Sequence, residues 1–187
     1  MVAEAEAAPA GRPALFLDRD GIINVDRGYV WRIDDVEFVD GIFDLAAAAH
    51  RLGYLVVVVT NQAGIGRGFY SETDFHSLMD WIRAEFERRG AAIDAVYFCP
   101  YHPEHGIGDY RRDSDCRKPA PGMFFRAARE LGIDLRRSMM VGDKPSDAEA
   151  ARTAGVGTRL SLGSAATVPD LAVSIDRLED AIAYLGR

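Results

Sequence analysis

Apolar residues along this chain gather in short unbroken runs, separated by longer stretches with helical spacing. Residues 14–17 (Ala-Leu-Phe-Leu) form the first run, which ends at Asp18. Residues 54–59 form a β-branched run ending at Thr60, and residues 93–98 a third. Residues 138–141 form a fourth, ending at Gly142-Asp143, with a fifth at 158–162 and a sixth at 171–175. The runs read as apolar rather than alternating, which predicts strands buried on both faces. Between them, residues 41–52, 71–89, 121–131, 146–154 and 178–185 carry helical spacing. Ser71 stands as an N-cap, and Gly53, Gly90, Gly132 and Gly155 stand as C-terminal stops. Residues 19–40 are polar, and residues 61–69 and 99–118 read as loops.

Strands alternating with helices predict an α/β fold with a parallel sheet covered on both faces. Ligands of such sheets bind beyond the carboxyl ends of the strands. Asp18, Thr60 and Asp143 each fall at such an end, which predicts one shared site.

Composition narrows the class. With 187 residues, one domain is expected over 12–187, preceded by a loose tail over 1–11. That tail is rich in Ala and Glu and lacks the basic start and apolar segment of a signal peptide. Hydrophobic residues make up 48% and charged residues 27%, the balance of a soluble globule. The net charge of −7 weighs against nucleic-acid or anionic-membrane partners. A phosphorylated substrate must then be drawn in by local cations or a metal. Two cysteines, Cys99 and Cys116, are too few for a disulfide framework. With no bilayer-spanning run, a cytoplasmic monomer is the expectation.

Four segments carry candidate chemistry. Asp18-Arg19-Asp20-Gly21 places two carboxylates two residues apart at a strand tip. One could attack phosphorus while the other serves the leaving oxygen; a plain Asp-Gly turn is the bland alternative. Thr60-Asn61-Gln62 follows a strand and precedes glycines, so its hydroxyl and N–H groups could face an anion or merely cap a turn. Cys116-Arg117-Lys118-Pro119 offers two cations ahead of a helix, where the alternative is a solvated pair. Gly142-Asp143-Lys144-Pro145-Ser146-Asp147 puts an acid at a strand end, suited to Mg²⁺, with Asp147 in a supporting role.

Taken together and in this order, these segments resemble the haloacid dehalogenase (HAD) superfamily of phosphohydrolases. Within it the chain is similar to the D-glycero-D-manno-heptose 1,7-bisphosphate 7-phosphatases of subfamily IIIA, and less so to the histidinol phosphatases. The resemblance runs from Ala14 to about Leu162. Its most specific text is Asn24-Val25-Asp26-Arg27-Gly28-Tyr29-Val30, Thr60-Asn61-Gln62-Ala63-Gly64-Ile65 and Met140-Val141-Gly142-Asp143-Lys144. It implies a HAD-like Rossmannoid three-layer sandwich with a central parallel sheet and no large cap domain. It also implies a sugar bisphosphate phosphatase serving lipopolysaccharide precursor synthesis. Asp18 would be the nucleophile and Asp20 the acid and base. Mg²⁺ would sit on Asp18, Asp20 and Asp143, while Thr60 and Lys118 would hold the phosphoryl group. Asp26, Arg27, Gly28, Tyr29, Asn61, Gln62, Arg117 and Lys144 would meet the sugar.

The chain also departs from the family. The resemblance implies a structural zinc bound by Cys-x-His and Cys-x-Cys, but Tyr101 and Ser114 occupy the two middle places. Either His102 and His105 complete a site with Cys99 and Cys116, or packing holds the loop around two free thiols. Ile22 replaces the usual Thr after the D-x-D-G. Competing readings are another small phosphate-ester phosphatase, a phosphoacceptor signalling domain and an inactive binding protein. Asp20 speaks against the signalling domain, and the intact set of five polar residues speaks against the inactive protein.

Overall fold

The computed structural model describes residues 11–163 and 170–186. Six parallel strands form one sheet: β1 Ala14–Leu17, β2 Leu55–Asn61, β3 Ala95–Cys99, β4 Met139–Gly142, β5 Thr158–Leu162 and β6 Val173–Ile175. Their order is β3-β2-β1-β4-β5-β6. Two connections run outward from β1 to β3, and the chain then returns to build β4 to β6 on the other side. The order reverses between β1 and β4, so the crevice for a ligand opens beyond their carboxyl ends.

Side-chain alternation divides the core. Leu15, Leu17, Val56, Val58, Met139 and Val141 face one side, packing against α1 (Ile42–Arg51) and α3 (Glu72–Arg88). Ala14, Phe16, Val57, Val59 and Met140 face the other, under α4 (Gly122–Leu131) and α5 (Pro145–Ala154). Both faces of the sheet are therefore dry, as its apolar runs require. Each fully buried Leu, Val or Phe contributes about 1.5–3 kcal/mol relative to exposure.

The expected strands and most helices form, with ends shifted by a residue or two. Ser71 caps α3 as expected: its Oγ accepts the Asp74 N–H at 3.1 Å, and Asp74 returns a bond from the Ser71 N–H at 2.8 Å. Two segments differ from expectation. Residues 61–69 contain a short helix, α2 (Ala63–Gly66), where a loop was expected. Gly66 is admitted there because Pro100 O lies 2.4 Å from where a Cβ would stand. The closing segment Leu178–Tyr184 is a 3₁₀ helix rather than an α-helix. Its Leu178 and Ala181 are buried in the same core as α1, so packing rather than propensity sets its geometry.

The first segment of the chain, residues 1–10, lies outside the described residues. Gly11 is fixed: its carbonyl accepts Arg137 Nη1 at 3.4 Å. Among the described residues no globular insertion interrupts the strands and helices, and none forms a large cap over the crevice. Among the described residues no helix is long and apolar enough to cross a membrane.

Candidate active site

Asp18 follows β1 directly, and Asp143 follows β4, the strand paired with it. Two glycines allow the approach. A Cβ on Gly21, which has φ +94°, would stand 2.3 Å from Asp143 Oδ2, and one on Gly142 would stand 2.4 Å from Asp147 Cβ. Asp18, Asp143 and Asp147 then offer carboxylate oxygens that all lie within 4.8 Å of one another. Like charges at that range repel strongly unless cations or protons intervene.

Lys118 supplies one cation. It is 3% exposed, and its Nζ lies 3.1 Å from Asp18 Oδ1 and 2.6 Å from Asp147 Oδ1. It also donates to Val59 O at 2.8 Å. Burial alone would lower the Lys118 pKa, but Asp147 and Asp18 outweigh it and hold the ammonium above its ordinary value. Burial pushes Asp18 up, opposed by Lys118 and reinforced by Asp147. Asp143 is held more loosely: Lys144 Nζ stands 4.0 Å from its Oδ2, its Oδ1 is buried without a hydrogen bond, and burial pushes its pKa up to about 6. Lys118 pairs with two of the three carboxylates, and Lys144 stands 4.0 Å from the third, beyond hydrogen-bond distance, which leaves room for a hard cation. A bare buried carboxylate oxygen beside Asp18 is the donor chemistry Mg²⁺ takes. Asp147 is already committed to Lys118 and to the Lys144 N–H, at 3.1 Å, so it supports the cluster rather than facing the cavity.

Asp18 Oδ1 accepts both the Arg19 N–H, at 2.8 Å, and Lys118. Asp20 stands in a cradle of donors. Its Oδ1 takes Arg19 Nη2 at 2.8 Å and Asn24 Nδ2 at 3.0 Å, and its Oδ2 takes Gln62 Nε2 at 3.1 Å. Arg19 is 0% exposed, also donates to Val30 O, and lies over the Phe75 ring. Gln62 is oriented in turn by Tyr70, whose hydroxyl donates to Oε1. That fixes the amide so that its NH₂ serves Asp20 and, at 2.9 Å, Thr60 Oγ1. Burial raises the Tyr70 hydroxyl to about 12, so it remains a donor at neutral pH.

A cavity of about 510 Å³ opens over these groups, lined among others by Asp20, Asp26, Tyr29, Gln62, Arg117 and Lys144. Lys144 Nζ pairs with Asp26 at 3.0 Å across its mouth. Burial opposes ionisation of Asp26, but the Gly28 N–H and Lys144 hold its carboxyl below the ordinary range. Tyr29 adopts φ 55° and meets Phe69 edge-on at 4.8 Å. Asn61 clamps the lysine segment from both sides: it donates to Lys118 O and accepts the Lys118 N–H, each at 3.0 Å. Arg117 donates to Tyr101 O at 3.2 Å.

The structure thus gathers Asp18, Asp20, Thr60, Lys118 and Asp143 at one crevice, with Asp26, Gly28, Tyr29, Asn61, Gln62, Arg117 and Lys144 lining the cavity. Arg27 stands apart: it forms an exposed ion pair with Glu37. Sequence reading passed over Arg19, Asn24 and Tyr70 as site residues. Only Arg19 carried a signal, as a cation between two carboxylates at a strand tip. Ile22, in the place of the family threonine, is fully buried in the core.

Comparisons with known proteins agree with this geometry. Residues 115–183 match a family model described as HAD-hydrolase-like. The chain is 61% identical over 147 residues to the D-glycero-alpha-D-manno-heptose-1,7-bisphosphate 7-phosphatase of Burkholderia mallei, covering 79% of this chain and 78% of that one. It is 48% identical over 181 residues to the D-glycero-beta-D-manno-heptose-1,7-bisphosphate 7-phosphatase of Vibrio cholerae, covering 94% and 97%. The solved D,D-heptose 1,7-bisphosphate phosphatase of B. bronchiseptica, complexed with magnesium and phosphate, superposes with TM-score 0.78 at 27% identity, covering 92% and 97%. Identity of this depth along most of the chain, on a shared fold, decides the assignment: the chain belongs to the heptose-1,7-bisphosphate 7-phosphatase family of HAD-like hydrolases.

Proposed function

We propose that this chain removes the 7-phosphate from D-glycero-D-manno-heptose 1,7-bisphosphate by way of an aspartyl phosphate at Asp18, in the supply of activated heptose for lipopolysaccharide. The carrying observation is the three-carboxylate, one-lysine cluster at the β1–β4 switch point, with Asp20 beside it at the cavity mouth. The hydrogen bonds on Asp18 fall on Oδ1, so Oδ2 is the oxygen left to attack phosphorus. The P–O7 bond breaks, and Asp20 gives its proton to the sugar oxygen. Water then attacks the phosphorus of the aspartyl phosphate while Asp20 takes its proton, so ester and water become alcohol and phosphate.

Lys118 and the Thr60 hydroxyl hold the phosphoryl oxygens, and Gln62 aims that hydroxyl. Arg19 is a positioning residue: it keeps the Asp20 carboxylate over the cavity rather than in the acidic cluster. Mg²⁺ bound by Asp18, Asp143 and the Asp20 backbone would supply neutralising charge for the phosphate oxygens. Asp26, Gly28, Tyr29, Arg117 and Lys144 meet the sugar and its second phosphate, an anion suited to the two cations. Residues 12–187 are read as one hydrolase domain, supported by the single six-stranded sheet. Magnesium is the metal assigned. A structural zinc would need a third ligand beside Cys99 and Cys116, and among the described residues no His, Asp or Glu joins them at ligand distance.

The test is phosphate release from both heptose bisphosphate anomers and from histidinol phosphate, with and without Mg²⁺. Preference for a heptose bisphosphate in kcat/KM is expected. Preference for histidinol phosphate, or full turnover in excess chelator, would overturn the reading.

A further inference from the structure

The phosphatase chemistry leaves two thiols unused. Cys99 ends β3, and Cys116 directly precedes Arg117 and Lys118. Their sulfur atoms lie 2.6 Å apart. The side chains around them are not those of a metal centre. Tyr101 lies beneath the Arg112 guanidinium, 4.0 Å from its ring centre. His102 Nδ1 accepts the Glu104 and His105 N–H groups, and its ring packs on that of His105. Ser114 serves the thiol instead: its Oγ lies 3.0 Å from Cys116 Sγ and accepts the Cys116 N–H at 3.3 Å. Among the described residues, the only group of three or more potential ligands is the aspartate cluster.

Access to the pair is one-sided. Cys99 is buried, whereas Cys116 is partly exposed. Cys116 opens on a cavity of about 540 Å³, separate from the phosphate crevice, with Arg112, Arg126 and Arg129 in its wall. The thiol with access is also the more reactive one: the bond shared with Cys99, with the Ser114 hydroxyl adding to it, brings Cys116 down to about 7, while Cys99 is pushed up. That wall also carries Asp115, and Arg126 pairs with Glu130 at 2.9 Å, so Arg112 and Arg129 leave it net positive beside a nucleophilic thiol, which suits a small anionic disulfide.

We propose that Cys99 and Cys116 form a dithiol–disulfide couple, a redox modification site in place of a metal, oxidised by a small anionic disulfide such as glutathione disulfide. The Cys116 thiolate attacks one sulfur of that disulfide, the S–S bond breaks, and one glutathione leaves as thiolate. Cys99 then loses its proton and attacks the Cys116 sulfur, expelling the second glutathione. Two protein thiols are oxidised and one disulfide is reduced to two thiols. The bond formed ties the segment bearing Arg117 and Lys118 to the end of β3, alongside the Asn61 clamp.

The experiment incubates the full chain, as purified, in glutathione buffers of graded ratio and follows it by alkylation and intact mass. The expected result is joint loss of both thiols, with loss of two hydrogens and reversal by dithiothreitol. Cys99→Ser should stop at a Cys116–glutathione adduct, and Cys116→Ser should stay reduced. Both variants should keep the phosphatase activity of the reduced enzyme, which shows that they fold. Two thiols that stay reduced across the whole range would overturn the proposal. So would stoichiometric zinc in the purified protein that disappears in Cys99→Ser.

Discussion

The strand-tip cluster and the loop over residues 99–118 border the same crevice and are held in opposite ways. At the strand tips, buried charged groups are braced by directed polar contacts: Lys118 by two aspartates, Asp20 by Arg19, Asn24 and Gln62, with Asp143 the looser exception. In the loop, holding falls to rings and isolated bonds, such as Arg112 on Tyr101 and the Tyr110 hydroxyl on Glu72 at 2.8 Å. Charge taken out of water is costly unless matched, so the first region tolerates little substitution. The second needs only to be filled, which is how Tyr101 and Ser114 can stand in the two places where the family resemblance implied metal ligands.

The sharpest test of the first region is Asp18→Asn. It removes the nucleophile and keeps the shape, so turnover should fall on the order of 10⁴-fold or more, as for other single nucleophile deletions. Its thermal melt should show a folded protein. Near-normal turnover in a correctly folded variant would take the chemistry away from Asp18. Lys118→Met should come next and should show in stability. It strands Asp18 and Asp147 as buried unpaired carboxylates, at a cost of about 3–5 kcal/mol. Protonation relieves that repulsion, so the loss should shrink as pH falls from 8 to 5. Denaturant titration at the two pH values checks both size and direction, and equal loss at both would mean the pairing is not electrostatic.

Asp143→Asn should act in the reverse sense. In the metal-free protein the Asp143 carboxyl is raised to about 6 from an ordinary 3.8, because burial outweighs the pull of Lys144, whose Nζ lies 4.0 Å away. A folded-state pKa above the unfolded one favours the fold at low pH, and that benefit is lost as pH rises through about 6. At pH 8 Asp143 therefore costs the metal-free protein stability. Its replacement by Asn should raise the melting temperature there by about 2–6 °C, from roughly 1–2 kcal/mol. Near pH 4 the gain should vanish. Added Mg²⁺ should stabilise the natural chain and leave the variant unmoved. A variant less stable than the natural chain in chelator at pH 8 would contradict the assignment of a buried charge that Lys144 only partly offsets.

The same contrast explains what could be read in the sequence. Buried strands announce themselves as apolar runs, so β1 to β6 are legible, as are the acids at the tips of β1 and β4. The four-residue α2 lacks a full helical repeat and was not. Residues 178–185 carry helical spacing, yet burial of Leu178 and Ala181 beside α1 settles them as 3₁₀. Arg19 shows the deeper limit. Arginine reads as a surface residue, and nothing local says that Val30 O, the Phe75 ring and Asp20 will close around it. Arg27, by contrast, sits inside the most family-specific run and still turns outward to Glu37. A motif fixes where the backbone goes more firmly than where a long side chain points.

The smallest expected effect belongs to the loop and bears most directly on the contrast. Tyr110→Phe deletes one hydroxyl bond, to Glu72, and keeps the ring against Tyr101, 6.0 Å away between centres. Glu72 is only partly buried, so water can replace the lost donor. The cost should be about 0.5–1.5 kcal/mol, with kcat/KM within a factor of about 2 of the natural chain, since that is under 0.5 kcal/mol of transition-state stabilisation. Tyr70→Phe makes the same chemical change at Gln62 and should do more, because the freed amide can turn, presenting oxygen to the Asp20 carboxylate, which it repels, and reversing the bond to Thr60. If the two phenylalanine variants lost activity equally, the loop would be part of the catalytic frame. Filling alone would then no longer explain why Tyr101 and Ser114 can stand in it.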